Sequence, residues 1–201
     1  MVSQDLNSAL GARVPANAID DDRILDAARD LMATIGIRRT TMADVARTAQ
    51  VSRATLYRRY PNVQALAAAV TTREFADALG SVRTVDGDTV RESLARTVVH
   101  MTSAARSHPL LRRIVELDPE FLMPYLLHRT GRTSRAQLDA IEAGIRTGQE
   151  DGSVRDGAPR ELAAVVLQAA WSSALTGPVF SESPDLLDTQ LFDLLERYLR
   201  P

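Results

Sequence analysis

Two helix-capping residues, Thr41 and Ser52, place the tightest constraint on what this chain can fold into. Thr41-Met42-Ala43-Asp44 has the capping-box pattern: the Thr hydroxyl accepts from a backbone N–H that a helix start leaves without a partner, and the Asp carboxylate reaches back. A short helix is therefore predicted from Met42 to about Ala49, presenting Met42, Val45 and Ala46 inward. Gln50-Val51 makes a turn, Ser52 caps a further helix from Arg53 to Tyr60, and Pro61 ends it. Two short helices joined by so brief a turn have helix-turn-helix geometry.

The rest of the chain reads as helical too, and the fold class expected is all-α. Ile24, Leu25, Ala28, Leu31, Met32 and Ile35 form an i, i+3/i+4 stripe. Asp20, Asp21 and Asp22 precede it, where the backbone N–H groups of a helix start favour negative charge, and Gly36 follows as a C-terminal cap. A fourth helix is expected from near Asn62, with Leu66, Ala69, Val70, Phe75 and Leu79 as its apolar positions. Gly80 to Asp88 is polar and is the candidate linker. Beyond it, apolar stripes at Leu94–Met101, Leu110–Val115, Leu138–Ile145, Leu162–Ala170 and Leu187–Tyr198 predict further helices, and Pro124 interrupts the apolar run Phe121–Leu127. The domain organisation expected is a flexible arm over residues 1–19, a helix-turn-helix domain over 20–66 and a larger helical domain over 67–201.

Composition narrows the function. Of 201 residues none is Cys, which excludes disulfide scaffolds, thiolate metal sites and Cys nucleophiles and suits a reducing compartment. With neither a leader-like start nor an apolar run of membrane-spanning length, a cytoplasmic protein without membrane association is expected. The formal net charge of −2 argues against nucleic acid until it is divided by segment. From Arg38 to Arg73 seven Arg stand against one acid, a net +6, whereas the chain on either side is acidic. There is no Lys, so all 24 cations are Arg. Such asymmetry is the footprint of a nucleic-acid-binding module joined to a body with another task, the alternative being a chance cluster on a solvated face.

Residues 24–66 resemble the DNA-binding domain of the tetracycline-repressor (TetR) family of bacterial transcription regulators. The residues that carry the likeness are Ile24-Leu25-Asp26-Ala27-Ala28, Gly36, Thr40 to Ala46, and Val51-Ser52-Arg53-Ala54-Thr55-Leu56-Tyr57-Arg58-Arg59-Tyr60-Pro61-Asn62. The resemblance implies that Val51, Ala54 and Leu56 pack the recognition helix. It also implies that Thr41 adds a phosphate contact to its capping role, and that Ser52, Arg53 and Thr55 meet base edges in the major groove. Arg53 is the candidate for bidentate reading of a guanine. Tyr57, Arg58 and Arg59 would contact the phosphate backbone, although Tyr57 has the alternative of a buried helix aromatic and either Arg that of a solvated side chain. Two positions depart from the family's pattern: Ala54 stands where Gly is common, and Val63 where a Lys commonly meets a phosphate. Arg58 or Arg59 is expected to take over that contact.

For the larger domain the resemblance implies a pocket for a small-molecule effector and a homodimer on a pseudo-palindromic double-stranded operator. Phe121 and Tyr125, flanking the Pro124 break, are candidate walls of that pocket, with His100, Met101 and Trp171. The last two long helices are the implied dimer elements, and Leu187, Leu191, Leu194 and Tyr198 form an apolar seam for it, with an intramolecular core as the alternative. No catalytic residues, metal or cofactor are expected: the chain has no Gly-rich phosphate loop, Gly-x-Ser-x-Gly elbow or His-Glu-x-x-His motif, and its three His lack metal-ligand spacing. The reading is a DNA-binding regulator released by its effector. A helical protein-interaction module without specific DNA binding, or an activator of the same family, is the alternative.

Overall fold

A computed structural model describes residues 16–81, 85–124 and 131–201. In chain order they form α1 (Ala16–Ile35), α2 (Met42–Thr48), α3 (Arg53–Arg59), α4 (Val63–Ser81), α5 (Val90–Ser107), α6 (Pro109–Leu117) and a 3-10 turn at Pro119–Phe121. α7 (Arg132–Glu150), α8 (Pro159–Leu175), the short α9 (Gly177–Phe180) and α10 (Pro184–Leu199) follow. Among the described residues there is no strand, and the all-α expectation holds. The chain separates into two compact units between Val70 and Thr71, within α4 and about a turn beyond Leu66, where the sequence suggested a boundary.

In the first unit α1 buries Ile24, Ala28 and Met32 as the stripe requires. Its start differs from expectation. The helix begins at Ala16, inside the stretch read as an arm, so Asp20 to Asp22 lie past its first turn and do not cap it. The other end is as read: Gly36 adopts φ +86°, its N–H donates to the Met32 carbonyl at 3.0 Å, and the Thr40 hydroxyl donates to the Gly36 carbonyl at 2.8 Å. Helix α2 buries Met42, Val45 and Ala46, and α3 buries Leu56 completely. Ser52 caps α3 by accepting from the Thr55 N–H at 3.0 Å. Asp21 has a different use from the one expected of it. It accepts from the Tyr60 hydroxyl at 3.1 Å and pairs with Arg59 at 3.0 Å, tying α1 to the end of α3.

The second unit is built on α5, α7, α8 and α10, whose facing residues Val98, Ile145, Val166, Leu191, Leu195 and Leu199 form one buried cluster. Arg91 fastens α5 to α10 by donating to Glu196 at 3.0 Å, and to the turn after α7 through the Ser153 carbonyl at 2.8 Å. Arg106 does the same further along α5, meeting Asp188 of α10 at 2.5 Å. Gly148 on α7 lets the Val154 side chain close onto the helix, since a Cβ there would overlap it. The expected linker is shorter than read: α4 continues through Ser81, and the Val85 N–H donates to Thr97 at 3.0 Å while Ser93 donates to the Val85 carbonyl at 2.7 Å. Residues 85–88 are thus held against α5.

One backbone position is strained. Gln50, in the turn between α2 and α3, has φ +55°, a region in which a Cβ crowds the backbone. Its side chain is exposed and accepts from Arg23 at 3.1 Å, an interaction of small net value in water. Gln50→Gly is therefore expected to stabilise the chain by about 1 kcal/mol, read as a higher urea midpoint with an unchanged slope.

Candidate nucleic-acid interface and apolar cavity

Leu56 faces inward, and that fixes which way the rest of α3 points. Ser52, Arg53, Tyr57 and Arg58 are exposed, and Thr55, half-buried, shares a hydrogen bond of 2.9 Å with the Ser52 hydroxyl. Tyr57 is 53% exposed, so the alternative of a buried aromatic does not hold. Ala54, expected to pack the helix, is exposed instead: it lies two positions from Leu56, where a helix turns its surface away from the core. Arg59 is drawn into the fold by Asp21, leaving its side chain 15% exposed.

Tyr57 lines a shallow groove with Ile37, Arg38, Thr40, Met42 and the first residues of α4, Val63 and Gln64. Asn62 caps α4 by accepting from the Ala65 N–H at 2.8 Å, so the positive end of that helix lies at the groove. Thr41 is engaged in the capping box. Its hydroxyl accepts from the Asp44 N–H at 3.1 Å and donates to the Asp44 carboxylate at 2.6 Å. That bond, followed by one from Arg47, holds the Asp44 carboxyl below its usual pKa. The carboxylate's support of α2 is accordingly present at neutral pH and is lost as pH falls through the depressed value.

The second unit holds a cavity of about 130 Å³ that opens to solvent on one side. Phe75, His108 and Trp171 supply aromatic walls, Leu94, Met101, Ile141 and Leu167 aliphatic ones, and Ala104, Ala105, Ala140, Ala170 and Ala174 the room between them. Phe75 stacks on the His108 ring (centroids 6.1 Å apart, planes 27° apart) and meets Trp171 at 6.3 Å and 60°. His108 Nε2 lies 3.8 Å from the Glu74 carboxylate. Among the described residues no Asp, Glu or Arg lines the space. Its polar atoms are few. The Thr97 and Thr102 hydroxyls donate to carbonyls one turn back on α5, at 2.7 Å each, whereas the buried Oε1 of Gln137 has no hydrogen-bond partner among the described residues.

Of the residues expected in the pocket, Met101 and Trp171 line this cavity. His100 does not, since it sits on the exposed face of α5, and Phe121 belongs to the 3-10 turn and is not part of the lining; Tyr125 lies outside the described residues. Phe75, His108 and Gln137 were not anticipated. A signal for Gln137 exists: it precedes Ile141 and Ile145 at i, i+4 spacing, a lone amide on an apolar face. The seam on α10 is also divided. Leu191 is 5% exposed within the core and Tyr198 packs against it, so the intramolecular alternative applies to both, and Leu187 lies over Gly177. Leu194, 50% exposed, is the one seam residue turned outward; Leu186 and Gln190 continue its face, and Val165 of α8 and Val179 and Phe180 of α9 are further exposed apolar positions of this unit.

Among the described residues no helix is long and apolar enough to cross a membrane. Residues 24–70 match the description of bacterial regulatory proteins of the tetR family. An HTH-type transcriptional regulator of Mycobacterium tuberculosis (strain ATCC 25618 / H37Rv) is 34% identical over 179 residues, covering 88% of this chain and 93% of its own. Two solved structures share the fold. The transcriptional repressor QsdR of R. erythropolis aligns with TM-score 0.66 at 15% identity, over 90% of this chain and 95% of its own. RolR in complex with resorcinol aligns with TM-score 0.66 at 17% identity, over 91% and 88%. This chain belongs to the tetR family of HTH-type transcriptional regulators, which are not enzymes.

Proposed function

We propose that the protein is a ligand-responsive repressor, binding a pseudo-palindromic operator as a homodimer and leaving it when a small molecule enters the cavity of the second unit. The observation that carries the reading is the pairing, in one chain, of an exposed polar face on the capped helix α3 with an apolar cavity elsewhere. QsdR is a repressor and RolR binds resorcinol, and both share the fold. An effector that binds one conformation of the protein better than the DNA-competent one weakens operator binding by linkage, whatever the path of the change.

On the DNA side, α3 enters the major groove with Ser52, Arg53 and Thr55 at its leading end, and Arg53 reads a guanine. Tyr57 and Arg58 meet the backbone, with Thr41 at the head of α2. Arg59 is a poor stand-in for the cation missing at Val63, because Asp21 already holds it. Arg38 is better placed, since it lines the same groove as Tyr57 and Val63. In the dimer, Leu186 and Leu194 of α10 with Val165 of α8 form the contact, which leaves Leu191 and Tyr198 in their intramolecular places.

Gel shift on the chain's own upstream DNA tests the reading, which requires a tight, salt-sensitive, sequence-specific complex released by an effector. Arg53→Ala is expected to cost about 1–3 kcal/mol on the preferred operator and to relax selectivity at one base pair. In the salt dependence of binding, Arg38→Ala and Arg58→Ala should each lower the slope by about one unit, while Arg59→Ala leaves the slope in place and lowers thermal stability. Leu194→Glu puts a charge at the centre of the exposed α10 face and should shift sedimentation toward the monomer, with operator affinity falling alongside.

A further inference from the structure

The cavity specifies its ligand more narrowly than an apolar lining alone would. Its size is the first restriction. About 130 Å³ is close to the ~150 Å³ of an engineered dry cavity that holds benzene, so the space accommodates one six-membered ring with a short substituent. Shape is the second. Phe75 and Trp171 are tilted 60° to each other, and the His108 ring lies nearly parallel to Phe75, an angular aromatic wall that offers a flat ring both a face and an edge.

Charge is the third restriction. With no Asp, Glu or Arg among the described lining residues, an ionised ligand would be desolvated without a counter-ion from them. His108 Nε2 is directed to the Glu74 carboxylate, 3.8 Å away, and what the ring gives the cavity is its stacked aromatic face. The last restriction is the Gln137 amide, whose buried Oε1 is unpaired among the described residues while the two Thr hydroxyls are satisfied on their own helix. A buried acceptor without a donor is costly, and a ligand that brings one recovers that cost. A hydroxyl suits the position in particular, since it both donates and accepts and so answers either rotamer of the amide.

We infer that the cavity takes a neutral, single-ring aromatic compound bearing one hydroxyl, which donates to Gln137. The inference rests on the reading of this cavity as the effector site. The tests use the full chain and three probes of nearly equal size: 4-ethylphenol, ethylbenzene and 4-ethylbenzoate. Calorimetry gives affinities, and fluorescence of Trp171, the chain's single Trp and a lining residue, locates binding in the cavity. In the wild type, 4-ethylphenol and ethylbenzene bind and 4-ethylbenzoate does not. Gln137→Leu removes the acceptor at similar volume, and Gln137→Met serves as a second form should the first fold poorly. In either variant the ratio of 4-ethylphenol to ethylbenzene affinity falls about tenfold, the value of one hydrogen bond. A ratio that the variants leave unchanged, or benzoate binding as tightly as the phenol, overturns the hydroxyl assignment and leaves the cavity as a ligand site. Binding of none of the three to wild type or variants overturns both that assignment and the cavity as an effector site.

Discussion

A helix of seven residues cannot hold itself together in water, and both α2 and α3 have only seven. Everything the first unit presents to solvent depends on how these two are held. Caps at Thr41 and Ser52 satisfy N–H groups at each start, and Leu56, Val45 and Ile24, all wholly buried, supply the apolar contact surface. The turn between the helices is so short that Gln50 must take a positive φ. Asp21 then fixes the far end of α3 through Tyr60 and Arg59. Because each of these contacts points inward from one side of α3, the opposite side is left for Arg53, Tyr57 and Arg58.

The second unit solves a different problem. Its helices are long enough to pack along their length, and the Arg91–Glu196 and Arg106–Asp188 bonds, both poorly exposed, set the register of α10 on α5. Close packing is the rule inside such a bundle. It fails where five Ala side chains face one another across α5, α7 and α8, since each removes volume that a Leu would have filled. The cavity is therefore a consequence of residue size at particular positions, and its few polar atoms stand out because so little else in the lining can form a hydrogen bond.

That distinction explains what could be read from the sequence. Caps, the Gly36 stop and the inward residues of α2 are local features, set by i+3 and i+4 neighbours, and the chain states them openly. The first helix was legible in its stripe, but not in its start, because an acid-rich stretch suits either a helix end or an exposed helix face. Ala54 was misplaced for want of a phase: only the burial of Leu56 settles which small residue is inside. The α10 stripe divides between core and surface for a related reason. Leu191 and Leu194 are both apolar at helical spacing, and only the presence of α5 and α8 on one side distinguishes core from surface. The cavity was least legible, since its walls come from α4, α5, α7 and α8 and no single stretch of sequence contains it. Met101 and Trp171 line it and Phe121, near Pro124, does not.

The segment charge also changes meaning once partners are known. Among the described residues, Arg47 pairs with Asp44 at 2.6 Å, Arg59 with Asp21 at 3.0 Å and Arg73 with Glu74 at 3.3 Å. Asp21 and Glu74 lie outside the segment, so a count confined to it overstates the positive charge available to a polyanion. Arg38, Arg39, Arg53 and Arg58 remain exposed in two places, the loop before α2 and the outer side of α3. With no Lys in the chain, these carry long planar guanidinium groups suited to bidentate bonds with phosphate or guanine. Val63 brings no cation to the groove it lines, and Arg38 lines that same groove from the loop before α2.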